Sequence, residues 1–219
     1  MDYDYLVNAF SKFQAVSGTL QNSIYHTLKE AIFFQKLPGE ITESQISLAL
    51  NVSRTPVREA MHKLSAEGFL EIVHGKKAKV IYITEQDIRD IATVLRGLHN
   101  TSIELCIDKI TDSDLDELKG LLDLMEYYVD KHDIGQLVQY NTKFHLKICQ
   151  CGHNKWLYNI MKNLLNTSLV FRAQVTERPG RAEHGLEEHK TIYRLLCERN
   201  GDELKRFMER HVKVAFEQA

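Results

Sequence analysis

One strand–turn–strand pattern interrupts a sequence that is otherwise helical from residue 20 to its end. The segment LEIVHGKKAKVIYI, at 70–83, places short β-prone runs on both sides of an HGKK turn, which predicts a β-hairpin. Apolar residues recur at helical spacing both before and after this hairpin. The sequence therefore predicts a mostly α protein, with one small mixed unit at the front and an all-α helical bundle behind it.

Three helices in quick succession precede the hairpin. The first, QNSIYHTLKEAIFF, ends at the Pro-Gly turn of LPGE. The second opens with Thr42 and Gln45, which are spaced as a capping box. The third, RTPVREAMHKLSAEGF, follows Ser53 as its N-cap and has Pro56 in its first turn, where proline is tolerated. Helix, short helix, turn, helix and hairpin is the order of a winged helix-turn-helix.

We expect three parts along the 219 residues. Residues 1–20 form an N-terminal arm or a short helix, 21–84 form the winged helix-turn-helix, and 85–219 form the bundle. Glycine and proline are scarce, at 11 and 3, so no flexible linker is expected between the units. Apolar stripes in the bundle predict six helices, at about 85–109, 112–130, 133–150, 153–173, 182–199 and 202–218.

Charge is distributed unevenly between the two units. Residues 21–84 carry 8 Lys or Arg against 6 Asp or Glu, whereas residues 85–219 carry 19 against 22. The mildly basic front unit permits an anionic partner. No apolar run reaches the roughly 18 residues of a membrane span, the acidic N-terminus is unlike a signal peptide, and the four cysteines form no disulfide framework. We therefore expect a cytoplasmic protein without a membrane partner.

The start of the third helix carries the chemistry that reads DNA. Arg54 and Arg58 are four residues apart and project from one side of the helix. The arginine fork matches guanine O6 and N7 in the major groove, while hydroxyls and backbone N–H groups at a helix start suit phosphate. A solvated face with ordinary surface charges is the alternative. We predict DNA contacts from this helix and from the turn of the hairpin: Ser53, Arg54, Thr55, Arg58, His74, Gly75, Lys76 and Lys77.

Three histidines of the bundle point inward. At 100° per residue, Asn141 and His145 fall in the middle of the apolar stripe of their helix, His189 and His211 fall on the stripes of theirs, and His184 falls outside. A single inward histidine is usually a satisfied core residue, but every buried imidazole needs a partner. One divalent metal can serve three neutral imidazoles at once. A metal site and a set of structural polar residues both stay open.

The segment NVSRTPVREAMHKLSAEGFLEIVHGKKAKV, at 51–80, together with LPGEITESQISLAL before it, resembles the signature of the GntR family of bacterial transcription regulators. The resemblance implies a transcriptional regulator that binds a double-stranded DNA operator as a homodimer. It also implies that Arg54, Arg58 and the His74-Gly75 turn contact DNA, as their counterparts do in relatives.

The bundle is similar to the effector-binding domain of the FadR-like branch, called the FCD domain, at FH (144–145), EEHKTIYRLL (187–196) and MERHV (208–212). In metal-binding members, an aspartate four residues before the first histidine joins three histidines, and the metal helps to hold a small carboxylate effector. Carried over, the resemblance implies a divalent transition metal (Zn, Ni or Mn). Asn141 stands at the aspartate's position, so the site loses one negative charge, which weakens or alters its metal preference. The implied ligands are Asn141, His145, His189 and His211.

Two arginines and an amide are the candidates to bind the effector. Arg96, in VLRGLHN, matches the family's arginine on the first bundle helix, which meets the effector carboxylate. Arg172 is a second candidate, with a surface charge as its alternative, and Asn141 is the third. His99 lies on the stripe of its helix, and is either a pocket group or a packed core residue.

Together these features predict a DNA-binding transcriptional regulator, in the direction of a repressor, whose operator affinity is modulated by a small carboxylate in the bundle. A DNA-binding dimer with a purely structural bundle and no metal is one alternative. A metal-dependent enzyme is the other, but no carboxylate general base accompanies the histidines at a recognisable spacing.

Overall fold

The structure is a computed structural model that describes residues 2–15, 17–73, 77–82 and 84–217. The chain divides into two compact units between Thr84 and Glu85. The described residues form eleven helices and one three-stranded sheet, which confirms the mostly α prediction. Among these helices, none is long and apolar enough to cross a membrane.

The first unit has a helix-turn-helix core with a small sheet at its edge. Its first helix, within the predicted arm, buries Leu6, Ala9 and Phe10 and packs against the next two helices of the chain. The remaining order agrees with the winged helix-turn-helix prediction. The elements are α1 (Tyr3–Gln14), α2 (Leu20–Phe33), β1 (Glu40–Thr42), α3 (Glu43–Leu50), α4 (Arg54–Ala66), β2 (Leu70–Val73) and β3 (Lys77–Val80).

Local capping chemistry sets the turn between α3 and α4. The predicted capping box is confirmed, because the Thr42 hydroxyl accepts from the Gln45 N–H and the Gln45 side chain accepts from the Thr42 N–H. Asn51 ends α3 in the left-handed conformation, with φ of 52°, which asparagine tolerates better than most residues. Ser53 is the N-cap of α4, but its hydroxyl makes no capping hydrogen bond. Its side chain therefore stays available at the start of the helix.

The sheet has one strand more than the pattern predicts. Its order is β1-β3-β2, with both neighbouring pairs antiparallel. Strand β1 has three residues, too few to show an alternating pattern in the sequence. Ala78 of β3 stands opposite Ile41 of β1 and Ile72 of β2, and both Ala78 and Ile41 are buried in the core of the unit.

The second unit is an all-α bundle of seven described helices, so the predicted count of six is wrong. The predicted helix at 153–173 ends at Thr167, and a second one starts at Leu169. The break lies at Ser168, whose N–H and hydroxyl both donate to the carbonyl of Leu164. The helices are α5 (Glu85–Cys106), α6 (Asp112–Asp130), α7 (Ile134–Cys151), α8 (Lys155–Thr167), α9 (Leu169–Thr176), α10 (Arg181–Cys197) and α11 (Gly201–Glu217).

Helix α7 is central to the bundle. It packs against α5, α6, α8 and α9, while α10 packs against α6, α9 and α11, and α11 also packs against α5. Two of the largest apolar side chains, Phe144 of α7 and Ile103 of α5, are fully buried. The polar residues on these inward faces are consequently enclosed in the same core.

Candidate functional site

A cavity of about 50 Å³ lies inside the bundle. Apolar side chains such as Leu137, Leu186 and Val212 make up much of its wall. Its polar lining comes from five different helices, which converge from separate parts of the sequence. This polar lining includes His99 (α5), Asn141 and His145 (α7), Arg172 and Thr176 (α9), Arg181 and His189 (α10), and His211 (α11).

Three imidazoles meet at one point of this cavity. His145, His189 and His211 are 4%, 1% and 5% exposed, so their predicted inward orientation is confirmed. The Nε2 atom of His145 lies 3.1 Å from Nε2 of His189 and 3.4 Å from Nε2 of His211. One nitrogen from each ring lies within 4.8 Å of the other two, which is close enough for all three to share a metal ion.

Hydrogen bonds on the far side of two rings determine their tautomers. Nδ1 of His189 donates to the Gly185 carbonyl at 2.6 Å, and Nδ1 of His211 donates to Glu188 Oε2 at 2.9 Å. The Nε2 lone pair of each ring therefore faces the shared point. Metal-ligating histidines are held in this way by a carbonyl or a carboxylate. Nδ1 of His145, by contrast, is buried without a hydrogen-bond partner among the described residues.

Burial keeps His145 and His189, together with the neighbouring His99, in the neutral form. Burial lowers the pKa of His99 and of His189 to about 3, and lowers that of His145 well below its usual value. The positive charge of Arg172 acts in the same direction on His99 and His145. Neutral imidazole is the form that binds a metal. His145 and His189 therefore fit a divalent transition metal in charge state as well as in position, and His211 fits it in position.

A buried carboxylate positions one of the rings. Burial alone would raise the pKa of Glu188, but its hydrogen bond with His211 and the charge of Arg181 outweigh burial and lower this pKa to about 2. Arg181 Nη2 lies 3.0 Å from the same Oε2 atom that faces His211. Sequence reasoning missed this Arg181–Glu188–His211 chain. The spacing of Arg181 and Glu188, two helical turns apart, was the signal in the sequence.

Asn141 and Arg172 are hydrogen-bonded to each other. The Arg172 guanidinium only donates, and its Nη1 lies 2.9 Å from Asn141 Oδ1. This contact turns the Asn141 amide nitrogen toward His189 Nε2, at 3.1 Å. Arg172 is buried, so its interpretation as a surface charge is wrong. Burial lowers the pKa of Arg172 to about 10, which leaves it charged at neutral pH.

The remaining predicted bundle residues differ in whether they line the cavity. His99 lines the cavity, and its ring centroid lies 4.8 Å from that of His145. Arg96 is exposed on α5 and does not line the cavity, so its contact with an effector stays a prediction. His184 is exposed, in agreement with its position on the outer face of α10.

In the first unit, the predicted DNA contacts lie at the exposed start of α4. Ser53, Arg54, Thr55 and Arg58 are all exposed. Arg58 is not free, because its Nε and Nη2 donate to the two carboxylate oxygens of Glu43, both at 2.9 Å. Lys77 is exposed at the start of β3, and its Nζ lies 3.7 Å from the carboxylate of Glu40. The predicted contacts His74, Gly75 and Lys76 lie outside the described residues.

A winged helix with an arginine-bearing face, followed in the chain by a helical unit around a cavity with a partly polar lining, is typical of a DNA-binding regulator. The family model described as bacterial regulatory proteins, gntR family, matches residues 20–80, and the FCD domain model matches residues 90–214. The chain belongs to the GntR family of bacterial transcriptional regulators and carries an FCD domain. These families consist of regulators rather than enzymes, which excludes the enzyme alternative.

Relatives support this assignment along most of the chain. It is 28% identical over 192 residues to the HTH-type transcriptional regulator YdhC of Bacillus subtilis, covering 85% of each chain. Its identity to the Nta operon transcriptional regulator of Aminobacter aminovorans is 26%, covering 86% of this chain and 88% of that one. It is also 24% identical to the HTH-type transcriptional repressor RspR of Escherichia coli, covering 89% and 86%.

Solved structures show the same fold. Escherichia coli McbR/YncC superposes with a TM-score of 0.71 at 20% identity, covering 91% of this chain and 98% of that one. Lar of Listeria monocytogenes superposes with a TM-score of 0.72 at 18% identity, covering 92% and 98%. The fold of this chain is thus similar to both structures.

Proposed function

We propose that this regulator is a repressor that binds its operator as a homodimer and releases it when a small carboxylate effector, held together with a divalent metal, occupies the bundle. The observation that carries the proposal is the cavity in which three buried imidazoles and a buried arginine converge. A purely structural bundle has no need for a cavity with such a lining.

On the DNA side, two winged-helix units present α4 to successive major grooves of a near-palindromic site. Arg54 and Arg58 read guanine edges, and each good bidentate pair contributes about 1–3 kcal/mol of discrimination. Ser53, Thr55 and Lys77 supply contacts to phosphate. The partner of such a protein is chromosomal DNA, and we place the regulator in the cytoplasm.

On the effector side, His145, His189 and His211 hold the metal, with zinc, nickel or manganese as the candidates. The metal, when bound, supplies a Lewis-acidic position for a carboxylate oxygen. Asn141 stands where metal-binding relatives have an aspartate, and its oxygen is engaged by Arg172. A neutral amide in place of a carboxylate weakens the site for metal without removing the three imidazoles.

The two units communicate through a difference in operator affinity between the effector-bound and effector-free forms. A coupling free energy of about 1–3 kcal/mol changes operator affinity about 5–150-fold, which is enough to switch occupancy. We propose that effector binding in the bundle changes the spacing of the two winged helices in the dimer, and so their fit to the half-sites.

A histidine pair on one helix tests the metal part directly. Adding Zn²⁺, Ni²⁺ or Mn²⁺ to chelator-treated protein should raise its thermal midpoint, because the ion binds the folded state only. His189→Ala should abolish this shift, whereas His184→Ala, which removes an exposed histidine from the same helix, should retain it. The same protein is then screened with small carboxylates, and the compounds that bind are tested for release of promoter DNA.

Two results would contradict the proposal at different levels. Protein that is purified without metal and gains no stability from any of the three ions supports the purely structural bundle. If the protein binds metal and carboxylate but its affinity for promoter DNA is unchanged, the binding site is supported and the effector role is contradicted.

A further inference from the structure

Arg172 is a buried cation whose contacts are all neutral. Its Nη1 donates to Asn141 Oδ1 at 2.9 Å, and its Nη2 donates to Thr142 Oγ1 at 2.6 Å and to the Leu165 carbonyl at 3.0 Å. Its Nε is buried and has no hydrogen-bond partner among the described residues. Buried arginines are normally paired with a carboxylate, because an uncompensated charge is costly away from water.

No acidic group in the described part of the cavity is available to compensate this charge. The cavity lining there contains no aspartate or glutamate. Glu188 is hydrogen-bonded to one of the three histidines, but its Oε2 atom already contacts both Arg181 and His211. The Arg172 guanidinium thus gives the cavity wall a positive charge that no described lining residue compensates.

We infer that the cavity binds a small monocarboxylate directly through Arg172, without needing a metal, and that Asn141 keeps Arg172 available for this ligand. The inference rests on the proposed effector function and names the group that recognises the ligand. The carboxylate of the ligand compensates the guanidinium, while the metal adds a second, independent attraction when it is present.

The size of the cavity limits the ligand. One water-sized group needs roughly 10–15 Å³ in this measure, so a cavity of about 50 Å³ holds roughly three to five such groups. Acetate, with two carbons and two oxygens, matches this size, and propionate is slightly larger. The apolar side chains Leu137, Leu186 and Val212 suit the short alkyl end of such a ligand.

Asn141 determines whether this anion site exists. An aspartate at 141 would place a carboxylate against the Arg172 guanidinium, where the amide oxygen now lies at 2.9 Å. That internal ion pair would compensate Arg172 and remove the attraction for an external carboxylate, while it would add negative charge beside the histidines. Asn141→Asp should therefore weaken acetate binding and strengthen metal binding, which are opposite effects of one substitution.

The test measures acetate binding to chelator-treated full-length protein by thermal shift and by ligand-observed NMR. Acetamide, the neutral isostere, is the control for charge, and sodium chloride at equal ionic strength is the control for salt. Acetate should bind at least tenfold more tightly than acetamide. Arg172→Met and Asn141→Asp should each lose this preference, whereas Arg206→Gln, which removes an exposed arginine of α11, should retain it.

The outcomes separate this inference from the proposed function. Acetate binding that appears only after zinc is added overturns the inference and leaves the metal-held effector in place. Equal binding of acetate and acetamide also overturns it, as does acetate binding that survives Asn141→Asp, a variant that keeps the guanidinium and the fold. Acetate binding through Arg172 that leaves affinity for promoter DNA unchanged supports the anion site and contradicts the effector role.

Discussion

At the start of α4, Arg58 is oriented by a carboxylate. Its guanidinium donates through two nitrogens to both oxygens of Glu43, and this hydrogen bonding and charge raise the pKa of Arg58. A guanidinium that donates two hydrogen bonds to one carboxylate is held in a defined plane. The Glu43 carboxylate therefore presets the direction in which the Arg58 side chain points on the proposed DNA surface, and it also places a negative charge next to that surface.

Glu43→Gln should consequently change specificity and not only affinity. The loss of the fork partner frees Arg58, so the ratio of operator affinity to non-specific affinity should fall about fivefold, the equivalent of about 1 kcal/mol of base discrimination. Arg58→Ala should lower the same ratio further, because the base contact itself is lost. Fluorescence anisotropy with promoter DNA and scrambled DNA at one fixed salt concentration gives the ratio.

Glu59→Gln is the matched control, since it removes the same charge from an exposed position of α4. It should raise operator and non-specific affinity alike and leave their ratio unchanged. If Glu43→Gln behaves like Glu59→Gln, Glu43 acts only as a surface charge and does not orient Arg58.

The residues of the candidate site differ in how well the sequence predicts them. His145, His189 and His211 follow from helical periodicity, because the position of a residue on its own helix decides whether it faces the core. The contacts of Arg172 with Asn141 and with the Leu165 carbonyl do not follow, since they depend on how α9 lies against α7 and α8. Periodicity describes one helix at a time, whereas a site is made by several.

At the scale of elements, the departures from the predicted fold have local causes. Strand β1 is three residues long and exists because it pairs with β3, which no pattern of three residues reveals. The break between α8 and α9 occurs within a continuous apolar stripe, where the Ser168 hydroxyl bonds to the backbone. The break also contributes to the site. Leu165 lies three residues before Ser168, in the last turn of α8, and its carbonyl accepts a hydrogen bond from Arg172.

The packing of α1 on α2 includes a histidine that should make the first unit sensitive to acid. His26 stacks on Phe13 of α1, with ring centroids 5.5 Å apart, and meets the Tyr25 ring edge-on. Burial, with the charges of Lys63 and Lys29, lowers the pKa of His26 to about 4, although Glu67 opposes this. The unfolded chain, with a histidine pKa of about 6.5, binds this proton more readily than the folded chain does.

The contribution of His26 to stability is therefore fully present above about pH 6.5 and is lost as the pH falls toward 4. Between pH 7 and pH 5, this one group should lower the free energy of unfolding by about 2 kcal/mol. His26→Gln should be less sensitive to pH than the natural sequence by that amount, as measured by chemical denaturation at both values. An NMR titration of the folded protein that places the His26 pKa near 6.5 would contradict this explanation.

At the scale of the whole molecule, the chain joins a winged-helix unit to a helical FCD unit between Thr84 and Glu85. The family models match the two units separately, at residues 20–80 and 90–214. A sequence of this kind reveals both units, because each has its own motif. Neither motif determines the strength of the proposed coupling between the units, since that strength is a difference in free energy between two states of the whole molecule.

Thermodynamic reciprocity provides the test of that coupling. If acetate with zinc weakens operator binding by a factor between about 5 and 150, operator DNA must weaken acetate binding at the two sites of the proposed dimer by factors whose product is the same, because both reflect one coupling free energy. The operator factor and this product are measured independently, by anisotropy with saturating ligand and by calorimetry with saturating DNA. Arg172→Met should bring both factors to about one, while Arg206→Gln, an exposed control on α11, should leave them unchanged. A product that differs from the operator factor would mean that acetate acts at a second place, such as the DNA surface itself, and that the cavity is not the effector site.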